Sequence, residues 1–387
     1  MSSTFGSLTT VKLGIYAAQK GLDVTGNNIT NINTNGYTRQ RLDQVSLISG
    51  GSDRYHSQYN VRVGQGVLVN GVSQLRDPGL DISYRKSQAD VGSADSWLAG
   101  LEKLAGILDE VGKGDGEQDD GLILNQLNDL RDLINKANTN GIEGYDSLIR
   151  QSADTLCDLF NSAAKALAEL KTTFEGYLKQ DVDEINSILS QIQELNVAIR
   201  NSDIRGDEGL ELRDQRNLLL DELSQYMDLQ YENNADGTVT VTVNGQTVVS
   251  GSQYNKMELM ENPETGVVDL RWISSNESVN LTTGALKASV DYTNGRGPNL
   301  KNPGESTVKG FLYYQDKLNT FAQTLADTVN NIIPEMDENG EIKTDPATGE
   351  IVYRKLLGAY TVADDGSGHV VFDQPITADN LSISDEW

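Results

Sequence analysis

The sequence predicts a mainly α protein with an inserted β segment: a long-helix bundle or coiled-coil rod, an N-terminal assembly helix and a small antiparallel β-domain. Three observations carry that reading. No proline lies between Pro78 and Pro263, which leaves room for long helices. Apolar residues recur at alternating steps of three and four through most of that stretch. The period then changes to two over a short later segment.

The first helical pattern is N-terminal. Leu8, Val11, Ile15, Ala18, Leu22, Thr25, Ile29 and Ile32 form an a/d seam more than three heptads long. Gly14, Gly21 and Asn28 fall in a neighbouring column, seven apart, where small residues admit a second helix closely. Each glycine costs about 1 kcal/mol relative to alanine in a helix interior, and isolated helices of this length are marginal. The segment is therefore expected to be largely unfolded alone and helical on assembly. Asn27, Asn28 and Asn31 are expected to fix register by hydrogen bonds between chains, and Asn35-Gly36 to end the helix in a left-handed cap.

Trp97, Leu101, Leu104, Leu108 and Val111 open the bundle pattern, and Ile123, Leu127, Leu130, Ile134 and Ala137 repeat it. The acidic run at 114–121 separates the two. A third pattern runs from Leu156 to Ile199, with a phase slip at Leu178 and Val182. As one helix over 142–200 it would be roughly 90 Å long. A further helix is expected at about 210–227.

The β segment follows. Val and Thr alternate around Asn244-Gly245, the pair a type I′ hairpin turn needs. A second hairpin is expected to open at Asn262-Pro263 and close at Gly266. Helix returns at about 306–333, and its packing against the earlier helices would make the β-domain an insertion. Beyond Pro334 the chain turns β-like, with a hairpin expected at 344–353. The expected organisation is an assembly helix and extended or hairpin connector over 1–84, a bundle from 85–230 and 286–333, a β-domain at 231–285, and a β-like segment at 334–387.

Composition narrows the function. With 31 Lys and Arg against 57 Asp and Glu, the net charge is −26. Such a chain repels phosphate backbones, so no nucleic-acid partner is expected. No apolar run reaches the length of a membrane span, and the N-terminus lacks the basic and apolar regions of a cleaved signal peptide. The one cysteine, Cys157, allows no intrachain disulfide and reads as a small buried apolar residue. His56 and His369 have no partner motif, which argues against a His/Cys zinc site. Neither a phosphate-binding P-loop nor a nucleophile elbow occurs. Residues 335–346 depart from a calcium loop at Glu335 and Pro346. Asp207, Glu208, Glu211 and Asp214 read as helix-end and surface carboxylates, with Arg213 and Arg216 expected to pair beside Asp214. Neither an enzyme nor a cofactor is expected.

The run TGNNITNINTNGYTRQ, with Asn27, Asn28, Asn31, Gly36 and Tyr37, resembles the N-terminal signature of the bacterial flagellar axial proteins: rod, hook and hook-associated proteins. The continuation through Arg39 and Gln40 is similar to the hook-associated form. VGQGVLVNGVSQLRD at 63–77 resembles the strand segment that follows it. ELRDQRNLLLDELSQ, containing Asp214, Gln215 and Arg216, is similar to a helix of the same proteins, although Glu211 and Asn217 depart from its wording. GALKASVDYTN and the helix after it complete the order, so the resemblance covers most of 1–333.

The resemblance implies a structural subunit at the hook–filament junction, needed for filament attachment and assembly. It implies export by the flagellar type III route to the extracellular flagellum. Partners would be copies of itself, the hook protein, a second junction protein and, where the C-terminus is present, an export chaperone. A rod or hook subunit is the alternative, and a cytosolic coiled-coil scaffold a more distant one. The family's second terminal helix is not found within 334–387, so the chain reads as a truncated form.

Overall fold

The computed structural model describes residues 4–47, 66–108, 121–140, 144–263, 265–298, 307–335, 337, 341–346, 348–362 and 368–384. Val111, His56, the acidic break at 114–120, residues 63–65 and parts of 335–346 lie outside them. In chain order the elements are α1 (Thr4–Thr30), β1 (Gln40–Ser46), β2 (Val67–Gln74), α2 (Pro78–Leu108), α3 (Leu122–Asn140), α4 (Asp146–Ile204), α5 (Leu210–Tyr226), β3 (Leu229–Asn233), β4 (Val239–Val243), β5 (Gln246–Ser250), β6 (Gln253–Tyr254), β7 (Met257–Asn262), β8 (Val267–Trp272), α6 (Ala285–Asn294), α7 (Phe311–Val329), β9 (Leu357–Val362), β10 (Gly368–Val371) and β11 (Leu381–Ile383). The architecture is mainly α with small antiparallel sheets.

The chain forms two compact units. The first contains Met1–Gly92, Val182–Glu258 and Leu270–Ala285; the second contains Ser93–Asp181, Leu259–Asp269 and Leu286–Trp387. Neither coincides with one of the expected segments, because α2 and α4 each contribute to both units. A 59-residue helix such as α4 is far too long for one small core.

In the first unit, β1 and β2 pair as an antiparallel ribbon, Gln40 opposite Gln74 and Ser46 opposite Val67. Strands β3 to β6 pair in sequence order as a meander. Asn244 and Gly245 join β4 to β5 with φ of 46° and 81°, as a type I′ turn requires. Val239, Val241 and Val243 are buried on one face of β4, while Thr240 and Thr242 alternate with them.

The second unit has one continuous apolar core. Leu104 of α2, Ile123 and Leu130 of α3, Leu156, Phe160 and Phe174 of α4, Phe311 and Leu318 of α7, and Leu357 and Leu381 of the β9–β11 sheet all belong to it. Tyr292 of α6 stacks edge-on to Phe311 with ring centroids 4.6 Å apart. Helix α7 thus packs with α4 across the intervening β strands of the sequence. Cys157 is buried in this core, 3% exposed.

Helix α1 corrects two expectations. It is helical over Thr4–Thr30 within the single chain, because it carries a second stripe beside the seam. Leu13, Ala17 and Val24 line that stripe, Ala17 is buried, and β1 and β2 lie against the helix. The helix also ends before Ile32, and Gly36 takes its left-handed φ of 77° in the turn that follows.

Candidate assembly surface and signature node

The seam and the packed stripe follow the same 3-4 spacing, two residues out of phase. Leu8, Val11, Ile15, Leu22, Ile29 and Ile32 are all at least 59% exposed, and Ala18 and Thr25 are exposed with them. One apolar face of α1 is therefore covered by the chain itself, and the other faces solvent. A contiguous apolar stripe of this kind marks an interaction surface. A Cβ at Gly14 would meet nothing within 4 Å, and one at Gly21 would only touch Leu42 Cδ2 at 4.0 Å. The space beside Gly14 is open in this chain.

The asparagines act differently from expectation: they bond within the chain. Asn28 Oδ1 accepts from the Gln40 backbone N–H at 2.8 Å and from the Tyr37 hydroxyl at 2.9 Å. Its Nδ2 donates to the Gln40 carbonyl at 2.9 Å. One carboxamide thus pairs both backbone groups of the first residue of β1, as a neighbouring strand would. Asn27 Nδ2 donates to Gln40 Oε1 at 3.3 Å, and Asn31 Nδ2 to Asn27 Oδ1 at 2.8 Å. Since the chain's own turn consumes these amides, they fix the exit from α1.

The signature turn meets α5. Thr38 N–H donates to Asp214 Oδ2 at 3.1 Å, and Gln40 Nε2 to Glu211 Oε1 at 3.4 Å. A Cβ at Gly36 would lie 3.2 Å from Leu218 Cβ, and its φ is in the left-handed region, so glycine suits this close approach. Asp214 is 6% exposed and its Oδ1 has no hydrogen-bond partner among the described residues. Burial pushes its carboxyl above the ordinary carboxylate value, against the pull of the Thr38 hydrogen bond. Burial, and then the Asp214 and Glu211 charges, raise the Tyr37 phenol as well.

Gly36, Tyr37, Gln40 and Asp214 therefore come together from distant parts of the sequence. Arg216 does not join them. It turns to the opposite side of α5, where Nη1 donates to Asn196 Oδ1 at 2.9 Å and to the Gly237 carbonyl at 2.8 Å. Burial, then Arg213, pull its pKa down to about 10. The expected pairing beside Asp214 is thus replaced: Arg213 binds Asp203 at 2.7 Å instead. Arg39 and Gln215 are exposed.

Sequence reading missed four asparagines on or at the end of the other helices, of which Asn196 and Asn330 are buried and Asn186 and Asn294 half-buried. Asn196 is fully buried on α4; its Oδ1 accepts from Val239 N–H and its Nδ2 donates to the Val239 carbonyl, both at 2.9 Å. Asn186 clamps Met257, Asn294 clamps Val268 and Asn330 clamps Leu357 in the same way. Met257, Val239 and Leu357 each begin a strand. The available signal was an asparagine set into an apolar helical run.

Among the described residues, no group of three or more His, Cys, Asp or Glu is placed to hold a metal ion. No helix among them is long and apolar enough to cross a membrane.

A family model described as "Flagellar hook-associated protein FlgK helical domain" matches residues 116–345, more than half of the chain. The chain belongs to the FlgK hook-associated protein family. Flagellar hook-associated protein 1 of Bacillus subtilis (strain 168) is 32% identical over 293 residues, covering 69% of this chain and 55% of the relative. Flagellar hook-associated protein 1 of Salmonella typhimurium is 27% identical over 253 residues, covering 63% and 42%. The chain spans about half the length of these FlgK relatives. In fold it resembles the flagellar hook junction protein FlgK from Burkholderia pseudomallei, with a TM-score of 0.53, 21% identity, and coverage of 72% of this chain and 47% of that one.

Proposed function

We propose that the chain is a structural subunit of the bacterial flagellum at the hook–filament junction, where it is needed for filament attachment. The uncovered apolar stripe on α1, in a chain of this family, is the observation that carries the proposal. Burying a Leu, Ile or Val side chain contributes about 1.5–3 kcal/mol, so the stripe favours association strongly once a partner covers it. Copies of the same chain, the hook protein and a second junction protein are the proposed partners. The open space beside Gly14 suits a closely packed helix neighbour. The role is structural, with no substrate turned over. Export by the flagellar type III route, through a narrow channel, suits a chain that can form no intrachain disulfide.

Deletion of the gene tests this. The expected phenotype is intact hooks, absent filaments and flagellin released into the medium. Missing hooks would favour a rod or hook subunit, and normal filaments would overturn both assignments.

A further inference from the structure

The signature turn and α5 enclose a cleft of 200 Å³ whose lining includes Asn31, Thr34, Tyr37, Glu211, Asp214 and Gln215. Two carboxylates face it and, among the described residues, no lysine or arginine lines it. Glu211 is exposed at the rim. Asp214 lies beneath, more than nine-tenths buried, with Oδ1 unbonded. Arg76 acts on Asp214 only from a distance, being engaged with Asp81 and Asp221. Among the described residues no cation touches the carboxylate, and a buried carboxylate without a contacting cation is costly, so the cleft is electrostatically incomplete.

A complementary group sits beside it. Arg39 belongs to the same turn, is exposed, and has no ion-pair partner among the described residues. It cannot complete the cleft of its own chain. Thr38 reaches Asp214 through its backbone N–H and its side chain, and Gln40 reaches Glu211 through its side chain, whereas Arg39 between them is exposed and does not line the cleft. The turn therefore presents an unsatisfied anion on one side and an unsatisfied cation on the other. Such a pair is self-complementary only between different copies, in the head-to-tail sense that propagates around a ring or helix. Residues 1–47 carry four Lys and Arg against two Asp, whereas the whole chain has a net charge of −26. The N-terminal region is thus the part of the molecule that an acidic surface of another copy attracts.

We infer that the guanidinium of Arg39 from one copy enters the Glu211–Asp214 cleft of the next, giving a heterologous contact between subunits. This rests on the junction reading above. A planar guanidinium with several donors matches two carboxylates better than an ammonium does.

The test uses the full-length gene product in a strain lacking its own copy. R39E is expected to cut the number of attached filaments at least tenfold, with far-UV circular dichroism and melting unchanged because Arg39 is exposed. R39E combined with E211R is expected to restore filaments. R39C and E211C chains expressed together are expected to give a disulfide-linked dimer on isolated flagella, whereas either alone is not. Normal filaments with R39E, loss without rescue by E211R, or no mixed dimer would each overturn the contact. If the unaltered gene itself fails to restore filaments, the junction reading fails instead, and the two failures are distinguished.

Discussion

Arg216 on α5 donates to Asn196 on α4 at 2.9 Å, and the same Asn196 oxygen accepts the backbone N–H of Val239. Helix, helix and strand of the first unit are joined at one buried carboxamide. N196A would leave the Val239 groups short of partners and Arg216 short of an acceptor. Stranded buried polar groups cost about 1–3 kcal/mol each, so a loss of about 3 kcal/mol is expected. Urea unfolding measures it as a lower midpoint with unchanged slope. A loss under 1 kcal/mol would show that the contacts are replaced by others.

The two stripes of α1 should respond oppositely to charge. L22D alters a residue that is 74% exposed, so stability should change by less than about 0.5 kcal/mol while filament assembly is lost. A17D places a carboxylate where the side chain is 4% exposed, and should release α1 from the β1–β2 ribbon. Amide exchange along α1 reads the difference: protection is retained in L22D and lost in A17D. Equal protection in both would refute the assignment of faces.

Asp214 gives a pH signature. Burial raises its folded pKa above the unfolded value, so folding favours the protonated form. Its contribution is fully present below the ordinary carboxylate pKa and is lost as pH rises through the raised folded value. D214N keeps an oxygen to accept from Thr38 and removes the charge. Its melting temperature at pH 7 should equal or exceed that of the parent, with the gap closing toward acid. A clear drop at pH 7 would mean that the charge stabilises the isolated chain.

Cys157 should be inert in the native protein. Burial, aided by the neighbouring Asp154 and Asp158 charges, pushes the thiol up to about 12, and the thiolate is the reactive form. A thiol reagent at pH 8 should label it only after denaturation. Rapid labelling of folded protein would contradict its place in the core.

The helices were legible because 3-4 spacing reports a covered face wherever it occurs. Phe160, Leu167, Phe174, Leu178, Val182 and Ile185 are all buried on α4, on both sides of the phase slip. The hairpin at Asn244-Gly245 was legible from turn chemistry alone. Spacing does not report what covers a face, so the seam of α1 is legible while the role of Leu13, Ala17 and Val24, which face β1 and β2, is not. Polar anchoring was the least legible. Asn28 and Asn31 read as contacts between chains, because periodicity places a residue on a face without saying how the chain turns back. Asp214 and Arg216 looked like local partners, yet two steps along a helix carry side chains to opposite sides. The node joining Thr38 to Asp214 spans 176 positions and leaves no local trace.

The carboxamide clamps also bear on how the protein ages. Only a side chain with both an amide donor and a carbonyl acceptor can replace a neighbouring strand, so loss of ammonia from any clamp would convert its donor into a carboxylate facing a carbonyl. Asn294 is the most exposed to this chemistry in sequence terms, because it precedes a glycine, and an unhindered following residue lets the backbone nitrogen attack the amide. The glycine cannot be exchanged: a Cβ at Gly295 would lie 2.6 Å from the Val308 carbonyl and 2.7 Å from that of Asp291. Protection must come from the clamp itself, whose bonds to Val268 hold the amide away from attack. Asn244-Gly245, in an open turn, serves as the internal clock. Mass spectrometry of stored protein should find aspartate at 244 well before 294; the reverse order would show that the clamp opens readily. These few amides therefore set how long the folded chain keeps its shape.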